Sequence, residues 1–438
     1  MKISVIGLGY LGAVHAPSMA ELGHDVVGVD IDQRKIDTLD SGQAPFFEPG
    51  LPEILASASA SGRMTFTTDM SQVADATVHF IAVGTPQKPG SNSADMTYVD
   101  AAVDALLPYL KSGDLVVGKS TVPVGTAARL ADKIRTAVPG AELAWNPEFL
   151  REGFAVQDTM SPDRLVFGVA PDLDAAAWST AVLRDVYVKA LNEGTPLVVT
   201  DYATAELVKI SANAFLATKI SFINAISEIA DVTGANITEL ADAIGYDARI
   251  GRRFLNAGIG FGGGCLPKDI RAFAARAEEL GRGESLAFLK EIDEINLRRR
   301  QHVVNLAVEM LGGQAFQKRV AVLGLAFKPD SDDIRDSPAL DIAVQLHGLG
   351  ALITATDPHA IPNAQAKHPQ LHFIDSLAET VQDADIVLLL TEWEQYRQML
   401  PAELAALVAG KKIIDGRNVL DGTTWRKAGW EFRSMGRP

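Results

Sequence analysis

A short apolar run followed at once by three spaced glycines most constrains how this sequence folds. Residues 3–6 read ISVI, and Gly7-Leu-Gly9-Tyr-Leu-Gly12 follows, opening a helical pattern over about residues 11–22. A second apolar run, VVGVD, occupies residues 26–30. Strand, glycine turn, helix and strand in this order predict the first unit of a Rossmann-type parallel sheet.

The same turn predicts a dinucleotide site. Gly7 permits the tight turn, Gly9 lets the backbone approach a pyrophosphate, and Gly12 allows close helix–strand packing. Asp30 ends the next strand, where it can accept from a ribose 2′-OH and repel a 2′-phosphate, so NAD is favoured over NADP. Lys35 is placed to meet the adenosine ribose or a phosphate. The alternative is a tight turn without a ligand.

The strand pattern continues and then recurs near the C-terminus. VHFIAVGTP (78–86) and LVVGKSTVP (115–123) read as buried strands, which favours a parallel sheet covered by helices. VAVLGLAFKP (320–329) and ITATDP (353–358) repeat the opening, with Asp357 in the position of Asp30. This is a weak two-fold repeat of architecture. Its second copy lacks the glycine triplet, so its phosphate contacts should differ.

A helical region separates the two α/β regions. Residues 202–233 carry a helical pattern without internal Gly or Pro, and a second pattern covers about residues 285–311. The predicted fold class is α/β, with three domains. Residues 1–200 form a Rossmann-type NAD domain, 201–315 an all-helical dimerisation segment with a long helix and the cysteine loop, and 316–438 a second, Rossmann-like domain. The alternative for the long helix is burial within its own chain.

Composition limits the partners. The 438 residues are too many for one core, and the single cysteine excludes an intramolecular disulfide and fits a reducing compartment. A net charge of −15 without a basic run argues against nucleic acid and anionic membranes. The N-terminus loosely imitates a signal peptide, but its glycines have the better use above, and no apolar stretch approaches the ~20 residues that span a bilayer. A cytoplasmic protein is therefore expected.

The single thiol, Cys265, lies in GIGFGGGCLPKDI (258–270). A lone cysteine is usually a small buried hydrophobe. Here the preceding glycines are expected to strip side chains from its approach, so that a ligand can lie against backbone. A helical pattern begins after Pro267, and Lys268 is near; helix dipole and cation both favour the nucleophilic thiolate. Asp269 opposes this unless it has another task.

The chain resembles the UDP-glucose/GDP-mannose dehydrogenase family, most closely the branch that acts on UDP-glucose. The resemblance runs nearly end to end on seven ordered motifs: GLGYLG, VGTP (83–86), KSTVPVG (119–125), NPEFLREG (146–153), ELVKISANAF (206–215), FGGGCLPKD (261–269) and GLAFKPDSDDIRDSP (324–338). It implies oxidation of the sugar C6 alcohol through the aldehyde to the carboxylate with two NAD. An aldehyde loses hydride only after addition to its carbonyl, so Cys265 would form a thiohemiacetal and then a thioester that water cleaves.

The resemblance also implies further catalytic roles. Lys209 and Asn213 share one helix face and would stabilise an oxyanion. Asp269 and Thr121 would position a water, while Glu152 is a candidate base for thioester hydrolysis and Glu148 supports it. Solvated surface pairs are the alternative for Lys209 with Asn213 and for Glu148 with Glu152. The division of base roles among the lysine and the carboxylates is left open.

The remaining implied contacts belong to ligand binding. Substrate contacts are expected from Glu148, Phe149, Leu150, Arg151, Lys209, Asn213, Phe254, Gly262, Cys265, Phe327 and Lys328, and from Arg249 of a second subunit. Cofactor contacts are expected from Gly7, Gly9, Tyr10, Leu11, Gly12, Asp30, Lys35, Gly84, Thr85, Ser120, Thr121, Glu152, Lys268 and Arg335. For Lys328 and Arg249 the alternative is surface charge. Gly264 departs from the family, where Ser is frequent. No metal is expected.

Three other functions stay open. The same chemistry could act on GDP-mannose or a UDP-N-acetylhexosamine. A β-hydroxyacid dehydrogenase would share the first domain and the helices but would not need Cys265 or a second α/β domain. A non-catalytic NAD-sensing module would need the glycine triplet but not Lys209, Cys265 and Asp269.

Overall fold

The computed structural model describes residues 1–437. Contacts divide the chain into two compact units, Met1–Ala212 with Ala275–Gly281, and Asn213–Ala274 with Arg282–Pro438. The division into three domains, with boundaries at residues 200 and 315, stays a prediction about which part of the chain has which role.

The first unit contains an eight-stranded sheet in the order β3-β2-β1-β4-β5-β6-β7-β8. All neighbours are parallel except β6 and β7, which meet antiparallel at Trp145 and Gly168. The first six strands have the Rossmann order, in which the chain switches direction between β1 and β4. The strands are β1 (Lys2–Ile6), β2 (Asp25–Val29), β3 (Met64–Thr67), β4 (Val78–Ile81), β5 (Leu115–Gly118), β6 (Glu142–Trp145), β7 (Leu165–Val169) and β8 (Leu197–Asp201).

Continuous apolar runs form these strands because helices cover both faces. Along β5, Leu115 and Val117 enter one core while Val116 enters the other, and all three are fully buried. Successive side chains of a strand alternate between the faces, so a strand buried on both sides must be apolar throughout. The helices are α1 (Tyr10–Glu21), α2 (Gln33–Asp40), α3 (Leu51–Ala60), α4 (Thr97–Leu106), α5 (Thr126–Ala137), α6 (Ala155–Met160), α7 (Leu173–Val186) and α8 (Val188–Asn192).

The predicted helical segment follows the first sheet. Its long helix α9 covers Tyr202–Thr233, which confirms the bounds read from the sequence. The remaining helices are α10 (Ile237–Gly245), α11 (Leu266–Glu279) and α12 (Phe288–Met310). Asn236 caps α10 by accepting hydrogen bonds from the backbone N–H groups of Thr238 and Glu239.

The second unit carries a six-stranded, fully parallel sheet in the order β11-β10-β9-β12-β13-β14. In chain order this is again the Rossmann arrangement, which confirms the predicted repeat of architecture. The strands are β9 (Arg319–Leu323), β10 (Leu352–Thr356), β11 (His372–Phe373), β12 (Ile386–Leu389), β13 (Lys412–Asp415) and β14 (Glu431–Ser434). The helices are α13 (Pro338–Gly348), α14 (Ile361–Lys367), α15 (Leu377–Val381), α16 (Glu394–Arg397), α17 (Pro401–Leu404) and α18 (Gly422–Lys427).

The repeat extends to one hydrogen bond in each unit. Asp30 Oδ2 accepts from Leu8 N at 2.7 Å, and Asp357 Oδ2 accepts from Leu325 N at 2.7 Å. In both copies the carboxylate after the second strand thus fixes the turn after the first strand. Across residues 1–437, no helix is both long and apolar enough to cross a membrane.

Candidate active site

In the turn between β1 and α1, two glycines are required by packing within the protein, and a third leaves space that a ligand could occupy. Gly7 has φ +90°, and a Cβ there would lie 2.6 Å from the Val83 side chain. A Cβ on Gly12 would lie 1.8 Å from the Gly7 carbonyl oxygen. At Gly9 no heavy atom lies within 4 Å of the Cβ position. Gly7 and Gly12 are therefore required by the fold, while Gly9 leaves open space at the N-terminus of α1, where N–H groups attract a phosphate.

Asp30 is held rigidly at the end of β2. Its side chain accepts from the backbone of Leu8 at 2.7 Å and of Asp32 at 3.0 Å, and it is 9% exposed. Lys35 Nζ lies 2.9 Å from Asp30 Oδ2. The ammonium predicted to meet the adenosine ribose or a phosphate is thus placed beside the carboxylate predicted to meet the ribose.

The loops after β4 and β5 also converge at the carboxyl edge of the sheet. The Thr85 hydroxyl donates to the Thr121 carbonyl oxygen at 2.8 Å, and the Ser120 hydroxyl donates to the Val83 carbonyl oxygen at 2.6 Å. A Cβ on Gly84 would meet no heavy atom within 4 Å. Ligands of parallel sheets bind at this edge, near the switch in strand order.

Glu148, which is partly exposed, forms an ion pair with the buried Lys209. Lys209 Nζ lies 2.9 Å from Glu148 Oε1, and Lys209 is only 4% exposed. Glu148 Oε2 also accepts from the Leu150 backbone at 2.6 Å, which fixes the segment after β6. The alternative of a solvated helix face is therefore wrong for Lys209. A carboxylate in contact with an ammonium is suited to moving a proton.

The other side chains in the segment after β6 differ in exposure and in their partners. Glu152 is 8% exposed, so the solvated pair considered for Glu148 and Glu152 is wrong. Arg151 is exposed and binds Asp158 with contacts of 2.5 and 2.9 Å, and this hydrogen bonding raises the pKa of the guanidinium. The Phe149 ring lies under the Arg164 guanidinium at 3.8 Å.

A polar group that the sequence did not predict lies beside Glu148. Lys119 Nζ is 3.0 Å from Asn146 Oδ1 and 3.2 Å from the Tyr187 hydroxyl, around a cavity of about 40 Å³. Burial lowers the pKa of Lys119 to about 8, opposed by the charge of Glu148. Lys119 belongs to KSTVPVG, so the motif was visible, but its partners are distant in sequence.

In the second unit, Cys265 is exposed and lies at the N-terminus of α11, where its carbonyl oxygen accepts from Asp269 N at 2.9 Å. This confirms the predicted placement and contradicts the alternative of a buried hydrophobe. N–H groups at a helix start favour a thiolate over a thiol.

Asp269 has two side-chain partners in the same unit. Its Oδ2 accepts from Asn213 Nδ2 at 2.6 Å, and its Oδ1 lies 2.6 Å from Lys268 Nζ. Asp269 is 1% exposed. Lys268 thus balances the carboxylate charge that was expected to oppose a thiolate, and it therefore offers less of its own charge to Cys265.

The glycines before Cys265 were expected to leave space for a ligand, but they are required because other parts of the protein pack closely against them. A Cβ on Gly262 would lie 2.3 Å from the Asp336 carbonyl oxygen, and one on Gly263 would lie 2.8 Å from the Phe327 ring. At Gly264 it would lie 2.3 Å from the Arg335 guanidinium carbon. The expected open approach to a ligand is thus wrong at these positions, because residues 327–336 fill the space. Gly262 as a substrate contact stays a prediction, and a Ser at Gly264 would require Arg335 to move.

Four cationic or aromatic residues predicted to bind ligands lie on the surface or close to it. Arg335 binds Asp333 at 2.7 Å, and Arg249 binds Asp247 at 2.6 Å. Lys328 Nζ lies 5.5 Å from the Phe327 ring centroid. Phe254 is 37% exposed and has φ +66°. Their ligand contacts stay predictions.

Arg417 is a structural residue of this region that the sequence did not reveal. Its guanidinium donates to the carbonyl oxygens of Leu390 at 2.7 Å, Gly260 at 3.1 Å and Phe327 at 3.1 Å. It therefore ties the end of β12 to the glycine run and to the 327 loop. The only signal was its place in DGRN after β13. Within residues 1–437, no three His, Cys, Asp or Glu side chains are grouped to hold a metal ion.

Comparison with known proteins covers the whole chain. The NAD binding domain of the UDP-glucose/GDP-mannose dehydrogenase family matches residues 1–191, the central domain residues 203–298 and the UDP binding domain residues 321–422. The UDP-glucose 6-dehydrogenase of Rhizobium meliloti is 41% identical over 442 residues, covering 100% of both chains. UDP-glucose 6-dehydrogenase TuaD of Bacillus subtilis is 40% identical, covering 100% of this chain and 93% of TuaD.

Solved structures agree. A UDP-glucose dehydrogenase from Pyrobaculum islandicum superimposes with a TM-score of 0.90 at 38% identity, covering 100% of this chain and 98% of that one. A UDP-D-ManNAc dehydrogenase from Pyrococcus horikoshii reaches 0.86 at 27% identity, covering 100% and 99%. The N-terminal Rossmann domain, with its open Gly9, therefore binds NAD. From its motifs, its two Rossmann sheets and these full-length matches, the chain belongs to the UDP-glucose/GDP-mannose dehydrogenase family.

Proposed function

We propose that this protein oxidises UDP-glucose at C6 to UDP-glucuronate, with two NAD reduced per sugar. The observation that carries the proposal is the position of the single thiol: Cys265 is exposed at the N-terminus of α11 and directly precedes the turn that holds the Asp269–Asn213 pair. A plain alcohol dehydrogenase has no use for a nucleophile there. An enzyme that continues to the acid needs one.

The first oxidation requires a base and a hydride acceptor. NAD supplies the hydride acceptor when bound. Removal of the alcohol proton leaves negative charge on the sugar oxygen, and the ammonium of Lys209 or the amide of Asn213 is suited to stabilise it. The ion pair between Lys209 and Glu148 gives the proton a place to go, because Glu148 can accept it through the lysine.

The second oxidation requires Cys265. The thiolate sulfur adds to the aldehyde carbon, and the carbonyl π-electrons move to oxygen to give the oxyanion of a thiohemiacetal. Loss of a second hydride leaves a thioester. Water then bonds to the acyl carbon, the carbon–sulfur bond breaks, and the thiolate returns to Cys265. Glu152, which is 8% exposed, is proposed as the carboxylate that takes the proton from the water.

The sugar is chosen on the strength of the similarities. Identity to the UDP-glucose 6-dehydrogenases of Rhizobium meliloti and Bacillus subtilis is 41% and 40%, against 27% for the UDP-D-ManNAc dehydrogenase, and the C-terminal domain is of the UDP binding type. A substrate panel tests the choice: UDP-glucose, GDP-mannose, UDP-N-acetylglucosamine and UDP-N-acetylmannosamine, each with NAD while NADH absorbance is followed. UDP-glucose should give the highest kcat/KM, with two NADH per sugar acid. No NADH with any sugar would contradict the proposed activity.

We further propose that the protein is a homodimer formed through α9. Three large apolar side chains, Phe215, Phe222 and Ile229, recur every seventh residue on this helix and are 65%, 49% and 59% exposed. Apolar residues at this spacing form the contact stripe of paired helices. A second copy of the chain covers this stripe, and Arg249 would then serve the neighbouring subunit.

The division of labour follows the predicted domains. Residues 1–200 bind NAD, 201–315 carry Cys265 and the dimer helix, and 316–438 bind the UDP-sugar. A cytoplasmic location is proposed because an exposed catalytic thiol needs a reducing compartment.

A further inference from the structure

A buried carboxylate outside the catalytic set joins two parts of the first unit. Glu48, in PFFEPGL (45–51) before α3, is only 2% exposed. Carboxylates are rarely buried to this degree unless several donors compensate the lost water. The partners of Glu48 therefore indicate its purpose.

Three neutral donors hold this carboxylate. Gly153 N donates to Oε2 at 2.7 Å and Ala155 N donates to Oε1 at 2.7 Å, so both oxygens grip one turn of backbone. The Tyr10 hydroxyl also donates to Oε2. Hydrogen bonds to an ionised carboxylate are short and strong, which makes this a rigid junction.

The junction connects the glycine turn to the segment of the proposed base. Tyr10 begins α1, next to Gly9, and Gly153 directly follows Glu152. Burial, then the hydrogen bond to Glu48, and then the charges of Glu48 and Glu152 raise the pKa of Tyr10 far above its ordinary value. The hydroxyl thus keeps its proton and remains a donor to Glu48. Glu152 is joined directly to Gly153, so the junction holds the backbone that carries the Glu152 side chain.

We propose that Glu48 is a positioning residue, which holds Glu152 in place for thioester hydrolysis through the backbone of Gly153 and Ala155 and ties that segment to the dinucleotide turn through Tyr10. This inference rests on the proposed function of Glu152. In the step concerned, water bonds to the acyl carbon, the Cys265 sulfur leaves as thiolate, and the Glu152 carboxylate takes the water proton. Neither hydride transfer involves Glu48.

The proposal predicts where the reaction stalls. Glu48→Gln keeps the size of the side chain, but its NH₂ group cannot accept, so one of the two backbone bonds is lost. Displacement of a catalytic group by about 1 Å costs roughly 100-fold in rate. We expect a rapid burst of two NADH per active site, followed by turnover about 10- to 100-fold slower than in the wild type. Mass spectrometry of the quenched enzyme should show the sugar acyl group on Cys265.

Three further variants complete the test. Tyr10→Phe removes one donor to Glu48 and, at saturating NAD, should give the same stall more weakly; because Tyr10 is also an expected cofactor contact, its KM for NAD is measured alongside. This variant replaces Glu48→Gln in the test if Glu48→Gln does not fold. Glu152→Gln should accumulate the same thioester. Glu53→Gln changes an exposed glutamate nearby in the chain and should behave as the wild type.

The outcomes separate this inference from the function beneath it. If Glu152→Gln accumulates thioester and Glu48→Gln does not, the role of Glu48 is overturned while the base assignment stands. If Glu152→Gln accumulates none, the base assignment is wrong and the role of Glu48 falls with it. If Glu48→Gln loses burst and turnover equally, its role is only structural and the proposal is overturned.

Discussion

Asn213 Nδ2 donates a hydrogen bond of 2.6 Å to Asp269 Oδ2. The bond links the long helix α9 to the first turn of α11, directly after Cys265. Lys268 occupies the other carboxylate oxygen at 2.6 Å. Asp269 thus has a donor on each carboxylate oxygen, and one of the two donors is the ammonium of Lys268.

Asp269→Asn should damage both stability and catalysis. The new amide has a single oxygen for two donors, so Asn213 or Lys268 loses its partner inside the protein. We expect the free energy of unfolding to fall by about 1–3 kcal/mol. We expect kcat to fall at least about 100-fold. Urea unfolding and NADH formation measure the two effects, with Glu284→Gln as an exposed control; wild-type kcat in Asp269→Asn would contradict a catalytic role.

Asp30 should set the preference for NAD. Because its carboxylate lies at the end of β2, Asp30→Ala should raise the KM for NAD about tenfold, which corresponds to 1.4 kcal/mol of lost binding, and should reduce the preference over NADP. Asp357→Ala is the matched control, since Asp357 has the equivalent place in the other sheet and should leave the KM for NAD unchanged. Equal kcat/KM for NAD and NADP in the wild type would contradict the assignment, and this comparison also shows whether Lys35 cancels the charge of Asp30.

What the sequence could predict was local. The helix over 202–233 and the two Rossmann sheets follow from apolar periodicity and turn residues, which depend on neighbours in the chain. The exposed thiol at a helix start was predictable for the same reason. Glu48 bonded to Gly153 is 105 residues from its partner, and Lys119 is 68 residues from Tyr187. Such pairs depend on tertiary packing, which no local pattern encodes.

Cys265 should be needed for the acid but not for the aldehyde. Cys265→Ala removes the nucleophile and should abolish UDP-glucuronate formation, while supplied aldehyde is still reduced by NADH, because that step needs no thiol. Cys265→Ser should bind NAD normally and accumulate a covalent sugar adduct detectable by mass spectrometry, since an ester is hydrolysed more slowly than a thioester. Near wild-type acid formation by Cys265→Ala would make the thiol structural and the mechanism wrong.

The apolar stripe on α9 should hold the dimer together. Phe215→Asp places a charge on a side chain that is 65% exposed in one chain, so it should leave the subunit folded but prevent pairing. Sedimentation should then show monomers at micromolar concentration, where the wild type shows a dimer or a multiple of one. Phe316→Asp is the matched control, because Phe316 is also 65% exposed but belongs to the loop before β9 and not to α9. A monomeric wild type would exclude both the stripe and the proposed exchange of Arg249.

Lys119 gives the protein a specific dependence of stability on pH. Its ordinary pKa of 10.5 applies to the unfolded chain, while burial lowers it to about 8 in the folded protein. Between these values the unfolded chain binds more protons than the folded one, so stability rises with pH across this window. Below about pH 8 both states are protonated and the full cost of burying the ammonium is present.

Lys119→Met should remove this dependence. As the pH rises from 7.5 to 9.5, Lys119 should increase the free energy of unfolding of the wild type by about 2 kcal/mol. The variant lacks this group and shows no such increase. Asn146 Oδ1 keeps its hydrogen bond of 2.7 Å from the Tyr187 hydroxyl, so the variant should still fold. The measurement is urea unfolding of both proteins at the two pH values and one protein concentration. At each pH, the free energy of unfolding of the variant is subtracted from that of the wild type, so that the contributions of other titrating groups cancel. Lys189→Met, a surface change on α8, should follow the wild type at both values. If the free energy of unfolding of the wild type, minus that of Lys119→Met, does not rise between pH 7.5 and 9.5, the prediction is wrong. Lys119 would then stay charged in the folded protein throughout this range, with Glu148 as an effective partner.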